Sequence, residues 1–428
     1  MIIYKKLTSS KFIRNVVLVA SGTAGAQLLT LLFMPLITRL YSVEAFGLLG
    51  VFTAILAVLV PLAALAYPIA IVLPKKDDNA RRIAKLSLII ALTISVIAFI
   101  AILNIGDFLI AQFNLEELES YFLLIPVALF FSALLQIMQQ WLIRKKQFGI
   151  TARVAVIQSL IINSVKSVFG LINPTAAVFV FLATFSYALY AIQLWFASSR
   201  LSDKNGRITN QINNKDDLIK IGYQFRDFPL YRAPQQFINA LSQSLPIIML
   251  ASFVGPASVG FYALSKSVMA APATLIGKSV GDVFYPRITE AAYNHENLFK
   301  LVLKATLLLA LVAIVPFLIV YVFGPELFSF IFGSEWIMAG EYARWLSLWL
   351  LFALLNKPSV AALPVLNLQR FFLCYEIISI MVRGGTLYLC LVVFNNDLYA
   401  IQSLAFTGIL LNSFLILITL VNCNNFKG

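Results

Sequence analysis

The 428-residue chain is 61% hydrophobic and 12% charged, which excludes an ordinary water-soluble globule, where about a quarter of residues carry charge. Its formal charge of +13 would suit nucleic acid in a soluble protein. In so apolar a chain it reads instead as cationic loops gathered on one side of a membrane, with no nucleic acid involved.

The apolar runs come as blocks of roughly 20 residues, the length of a helical span, and lack the period-two alternation of barrel strands. The first begins near Ile13 and passes Leu32. It is too long for a signal-peptide core and has no small-residue cleavage site, so it is expected to be the first span. Further spans are predicted near 45–73, 84–103, 121–142, 151–171 and 175–197. A polar stretch, 198–220, follows at the midpoint. Spans are then predicted near 228–252, 258–281, 302–323, 343–365, 371–393 and 398–421. The expected fold is an all-α integral membrane protein of about twelve spans. Residues 1–198 and 223–428 form two six-helix lobes, and 199–222 is a cytoplasmic linker.

Alternating loops carry very different charge. With this span assignment, 23 Lys and Arg fall on one side and only two, Arg39 and Arg344, on the other. Cationic loops stay in the cytoplasm, so both termini are expected there. Three cysteines (Cys374, Cys390, Cys423) lie in or beside the last runs and His295 is the lone histidine. Neither a disulfide framework nor a zinc site is expected from them, and no other cofactor motif is present.

The halves echo each other. Pro35 is followed by Val43-Glu44-Ala45-Phe46-Gly47, and Pro246 by Pro256-Ala257-Ser258-Val259-Gly260. Proline and glycine are separated by 12 residues in one and 14 in the other. An even number of spans per half makes such a repeat parallel, an architecture in which transporters place the substrate in a cavity between the halves.

Polar residues fall in stripes along several spans. Arg232, Gln236, Asn239 and Gln243 share one helical face of span 7, Gln27 and Thr30 lie with Thr23 on span 1, and Ser159, Asn163, Lys166 and Gly170 lie on span 5. Two readings stand for the uncharged members: the wall of a cavity, or hydrogen-bonding glue between helices. Cations at bilayer depth cost several kcal/mol and face a wet cavity or a partner. Lys166, Lys266, Lys357 and Arg383 are such residues, with Arg232 nearer an end, and most are expected to share a central cavity. Deep acids are scarce: none of the 19 Asp and Glu lies inside the first six spans. Asp282 and Glu376 come closest in the second half and are the candidates for a coupling site. A cation-rich interior suits an anionic substrate. Its outward movement would run down a negative-inside potential without a first-lobe carboxylate site.

The stretch Pro35-Leu36-Ile37-Thr38-Arg39-Leu40-Tyr41-Ser42-Val43-Glu44-Ala45-Phe46-Gly47 resembles the first external loop of bacterial polysaccharide flippases of the O-antigen type. So do Phe228-Pro229-Leu230-Tyr231, Ser242-Gln243-Ser244-Leu245-Pro246 and Gly255-Pro256-Ala257-Ser258-Val259-Gly260-Phe261-Tyr262-Ala263. Phe284-Tyr285-Pro286-Arg287, Phe323-Gly324-Pro325-Glu326 and Phe332-Gly333-Ser334-Glu335-Trp336 extend the match. The resemblance implies the superfamily of multidrug extruders and peptidoglycan-precursor flippases, with two lobes around a cavity lined by spans 1, 2, 7 and 8. It also implies an inner-membrane protein that moves undecaprenyl-pyrophosphate-linked oligosaccharide to the outer leaflet for surface polysaccharide, beside other assembly proteins and membrane lipid. The alternatives are a drug or peptidoglycan-precursor exporter, or a membrane polymerase or ligase. An enzyme of the latter kind needs a sizeable external loop, and none is present here. A passive scaffold would have no use for cations buried in several spans.

Overall fold

The computed structural model describes residues 11–113, 116–202 and 215–425, with backbone alone at 11–20, 113, 199–202, 215–216, 272–283 and 286. Among the described residues every regular element is helical. The chain runs through α1 (Lys11–Leu40), α2 (Val43–Ala63), the single turn α3 (Tyr67–Ala70), α4 (Asp77–Phe113), α5 (Leu124–Arg144), α6 (Phe148–Ile172) and α7 (Ala176–Ser202). It continues with α8 (Lys215–Gln224), a π-turn at Phe228–Arg232, α9 (Ala233–Phe253) and α10 (Pro256–Tyr293). Last come α11 (Leu298–Phe332), α12 (Ile337–Leu355), the short α13 (Lys357–Ala362), α14 (Gln369–Val392) and α15 (Asp397–Asn425).

Among the described residues, ten helical segments are long and apolar enough to cross a membrane. Helices α9 and α10 stand at the seventh and eighth expected positions and are less apolar, because Gln235, Gln236, Asn239 and Gln243 dilute one and Lys266, Lys278, Asp282 and Arg287 the other. Two expected spans are broken rather than continuous. Helix α2 stops two residues after Pro61, Leu65 and Ala66 take left-handed φ values of 49° and 58°, and the chain restarts as α3 with Pro68 in its first turn. Likewise Pro358 stands in the first turn of α13, which restarts one residue after α12. Proline has no N–H to give a preceding carbonyl, so it ends or bends a helix and is tolerated at its start. Helices α4, α10 and α11 have 37, 38 and 35 residues, more than the roughly 20 that span the hydrocarbon. Helix α11 bends at Phe323, two residues before Pro325.

The chain divides into two compact units, Met1–Ser244 and Leu245–Gly428. In the first, α6 packs along α1 and α7, while α5 packs on α4, α2 and α7. Gly22 allows the α1–α6 approach, since a Cβ there would collide with the backbone of Ala152. The loop before α4, the end of α5 and helix α8 meet at one end of this unit. Arg144, after α5, donates to Asp77 at 2.8 Å and to the carbonyl of Pro74 at 2.6 Å. Helix α8 joins the same end, with Arg82 3.0 Å from Asp217 and the Tyr67 hydroxyl donating to Gly222. At the opposite end Tyr41 stacks on Phe179 at 3.7 Å and its hydroxyl donates to the carbonyl of Lys166.

In the second unit α12 is central, packing on α11, α10 and α15, and α14 packs on α15. Gly324 and Gly340 let α11 and α12 cross backbone to backbone, a crossing that a Cβ on either would block. Asp397, opening α15, accepts hydrogen bonds from the hydroxyls of Ser258 and Tyr342 and from the Leu398 amide. One carboxylate thus ties α10, α12 and α15 together.

Candidate functional site

The stripes on α1 and α6 face each other inside the first unit. Thr30 Oγ1 shares a 3.0 Å hydrogen bond with Ser159 Oγ and accepts one from Asn163 Nδ2. Ser159 Oγ also reaches the carbonyl of Ala26 at 2.7 Å. This part of the stripe is glue between helices. The same residues also border open space. A cavity of about 430 Å³ is walled by Thr23, Gln27 and Thr30 of α1, Gln139 of α5, Thr151, Gln158 and Ser159 of α6, and Tyr190 of α7, with three alanines between them. On α1 and α6, then, the stripe both bonds helix to helix and borders open space within the first unit.

All the side chains lining this cavity are uncharged. Gln158 is 6% exposed and donates through Nε2 to the carbonyl of Ser186. Its Oε1 is buried without a hydrogen-bond partner, as is Thr151 Oγ1. An unsatisfied buried polar atom costs about 1–3 kcal/mol, so these atoms call for a guest or for water. The Tyr190 hydroxyl is within hydrogen-bonding reach of Gln139.

The cations fall into two groups. Three sit against aromatic rings. Lys166 Nζ is 5.6 Å from the centre of Phe179, Lys266 Nζ is 5.5 Å from that of Tyr262, and the Arg383 guanidinium is 5.4 Å from that of Trp349. A ring face attracts a cation by ~2 kcal/mol or more where water is excluded. Lys166 lies in the first unit, and Lys266 and Arg383 lie in the second. The latter two are neighbours, since the Arg383 charge also acts on the Tyr262 hydroxyl. Tyr262 is 0% exposed, and its hydroxyl and Arg383 Nε are both buried without a hydrogen-bond partner.

The other group is exposed. Arg232 ends the π-turn and donates to Gln235 at 2.9 Å. Lys357 opens α13 beside Asn356, whose amide bonds to Asn412. Along α9, Gln236 is half-buried, while Asn239 and Gln243 are exposed. Glu376 is exposed on α14, and the side chain of Asp282 lies outside the described residues. Among the described residues no cluster of three His, Cys, Asp or Glu is placed to hold a metal.

Sequence reasoning missed the aromatic partners and most of the cavity wall. Tyr262 and Lys266 are one helical turn apart and were legible as an i, i+4 pair. Phe179 and Trp349 come from other helices and left no local signal. Gln139, Thr151, Gln158 and Tyr190 were equally hidden, because their convergence depends on how α5, α6 and α7 pack.

Residues 36–341 match the family model described as polysaccharide biosynthesis protein. A curated relative, the amylovoran biosynthesis protein AmsL of Erwinia amylovora, is 21% identical over 220 residues, 51% of this chain. The chain spans about half the length of that relative, 53%. Solved structures share the fold over nearly the whole chain. An inward-facing multidrug resistance MATE family transporter of the MOP superfamily aligns with a TM-score of 0.68 at 13% identity, covering 96% of this chain and 95% of that one. The lipid II flippase MurJ in its inward closed conformation aligns with a TM-score of 0.68 at 11% identity, covering 96% and 90%. A MOP superfamily transporter from Pyrococcus furiosus aligns with a TM-score of 0.61 at 13% identity, covering 97% and 96%.

Proposed function

This chain belongs to the polysaccharide biosynthesis protein family, and from that premise we propose that it flips undecaprenyl-pyrophosphate-linked oligosaccharide from the inner to the outer leaflet of the bacterial plasma membrane. The observation that carries the reading is the conjunction of a polysaccharide family match over residues 36–341 with an all-helical fold shared by a lipid flippase. The half-buried cations of the second unit support it. Lys266 and Arg383 offer charge that a pyrophosphate needs, and Arg383 Nε and the Tyr262 hydroxyl are buried donors without partners. Arg232 in the first unit and Lys357 in the second are both exposed and add positive charge.

Twelve spans in two lobes related by a parallel repeat are part of the same reading. Helix α5 packs on α4, α2 and α7, and α12 packs on α11, α10 and α15, which is the same pairing read in each half. With both termini cytoplasmic, a cysteine at Ser202 should resist a membrane-impermeant maleimide added to intact cells. The anionic head group then moves outward down the membrane potential, gaining about 2.3 kcal/mol per charge per 100 mV.

Lipid analysis of a strain lacking the protein tests the function. An undecaprenyl-linked saccharide should accumulate, confined to the inner leaflet and released when the gene is restored. Unchanged lipid pools, together with altered drug susceptibility, would replace this reading with that of a drug exporter.

A further inference from the structure

Resting on that reading, we propose that the first unit's cavity is a sugar subsite: the space between α1, α5, α6 and α7 receives one or two uncharged sugar rings of the lipid-linked substrate. The cavity's volume of about 430 Å³ lies within the roughly 300–1,000 Å³ of small-molecule sites, whereas the prenyl chain is far too long for it. Its chemistry selects among guests. A pyrophosphate finds no cation on its wall, and a metal ion or proton finds no carboxylate. An apolar drug would strand the buried Gln158 Oε1 and Thr151 Oγ1 without partners. A sugar ring answers all three features. Its hydroxyls both donate and accept, as do the amides of Gln27 and Gln139 and the hydroxyls of Thr23 and Ser159, and Tyr190 supplies an aromatic ring. The buried Gln158 oxygen, already fixed through its Nε2 bond to Ser186, is held ready for one sugar hydroxyl.

The site's place along the chain fits the same guest. Its walls come from the middle of α1, the second half of α5 and the opening turns of α6. That is the end of the unit where Arg144, Lys145 and Asp77 gather, the side that charge assigns to the cytoplasm. Lipid-linked sugars are presented from that side. Thr23, at the margin, is exposed, which leaves the cavity an entrance.

The test uses the full-length protein in lipid nanodiscs and two probes: the saccharide lipid that accumulates in the deletion strain, and undecaprenyl pyrophosphate without sugar. The wild type should bind the first more tightly than the second. Gln27→Ala and Gln139→Ala should each weaken the saccharide lipid about three- to tenfold, the value of one neutral hydrogen bond, and leave undecaprenyl pyrophosphate unchanged. Ala155→Trp, which fills the cavity without removing a polar group, should abolish the preference. If it does not yield monodisperse protein, the two glutamine variants carry the test. Equal binding of the saccharide lipid by both glutamine variants and wild type means that the cavity holds water alone, and overturns the subsite while the flippase reading stands. A wild type that binds neither lipid overturns the flippase reading and the subsite with it.

Discussion

The two units bury polarity in opposite ways. The first encloses a neutral cavity of amides and hydroxyls and sets the half-buried Lys166 against the ring of Phe179. The second gathers Lys266 and Arg383 about Tyr262 and Trp349. Helix α5 packs on α4, α2 and α7 and helix α12 on α11, α10 and α15, but the close α1–α6 contact that borders the cavity belongs to the first unit. Neutral polar groups are satisfied by geometry alone, whereas buried cations demand a counter-charge or an electron-rich face.

The sharpest way to break this contrast is to remove charge from the second unit. Arg383→Ala and Lys266→Ala should lower reconstituted flipping by at least about tenfold each, the equivalent of one charge-assisted contact, with membrane abundance unchanged. Lys166→Met should lower it much less. Equal losses at Lys166 and Arg383 would dissolve the distinction between the units.

Packing sets the next effect. Asp397→Ala releases Ser258, Tyr342 and the Leu398 amide together and should cost about 2–4 kcal/mol, read as a lower unfolding midpoint in detergent. Gly408→Ala drives a Cβ into the indole of Trp349, the ring that Arg383 covers, and should cost about 1–3 kcal/mol. An unchanged midpoint in either would show that the second unit's core is looser than its geometry indicates.

Within the first unit, Ser159→Ala removes hydrogen bonds to Thr30 and Ala26 and should cost about 0.5–1.5 kcal/mol. The smallest effect belongs to the surface pair of Arg287 and Glu296, 2.5 Å apart. The hydrogen bond from Arg287 holds the Glu296 carboxyl below its ordinary range. Its contribution is therefore present above the unfolded-state carboxylate pKa and is lost as pH falls through the lower folded value. Exposed pairs are screened by solvent, so Glu296→Gln should leave the midpoint at neutral pH and high salt unchanged. A clear drop there would show that the pair is shielded from solvent.

Helix by helix, much of this protein was written in its sequence. The length of each apolar block set the helices, because a chain in lipid must satisfy its own backbone hydrogen bonds. Lys and Arg placement foretold that Arg144, Asp77 and the α8 segment would meet at one end. The breaks near Pro61 and Pro358, the first with Leu65 and Ala66 in left-handed conformations, took the folded chain to see. The polar stripes were legible as faces, but not their destinations. Thr30 and Ser159 turned inward to bind each other and border a cavity, whereas Asn239 and Gln243 stayed exposed. Helical periodicity fixes which residues share a face, and only packing decides what that face meets. The cavity wall and the rings beneath Lys166 and Arg383 draw on helices far apart in the chain, so the tertiary structure alone could bring them together.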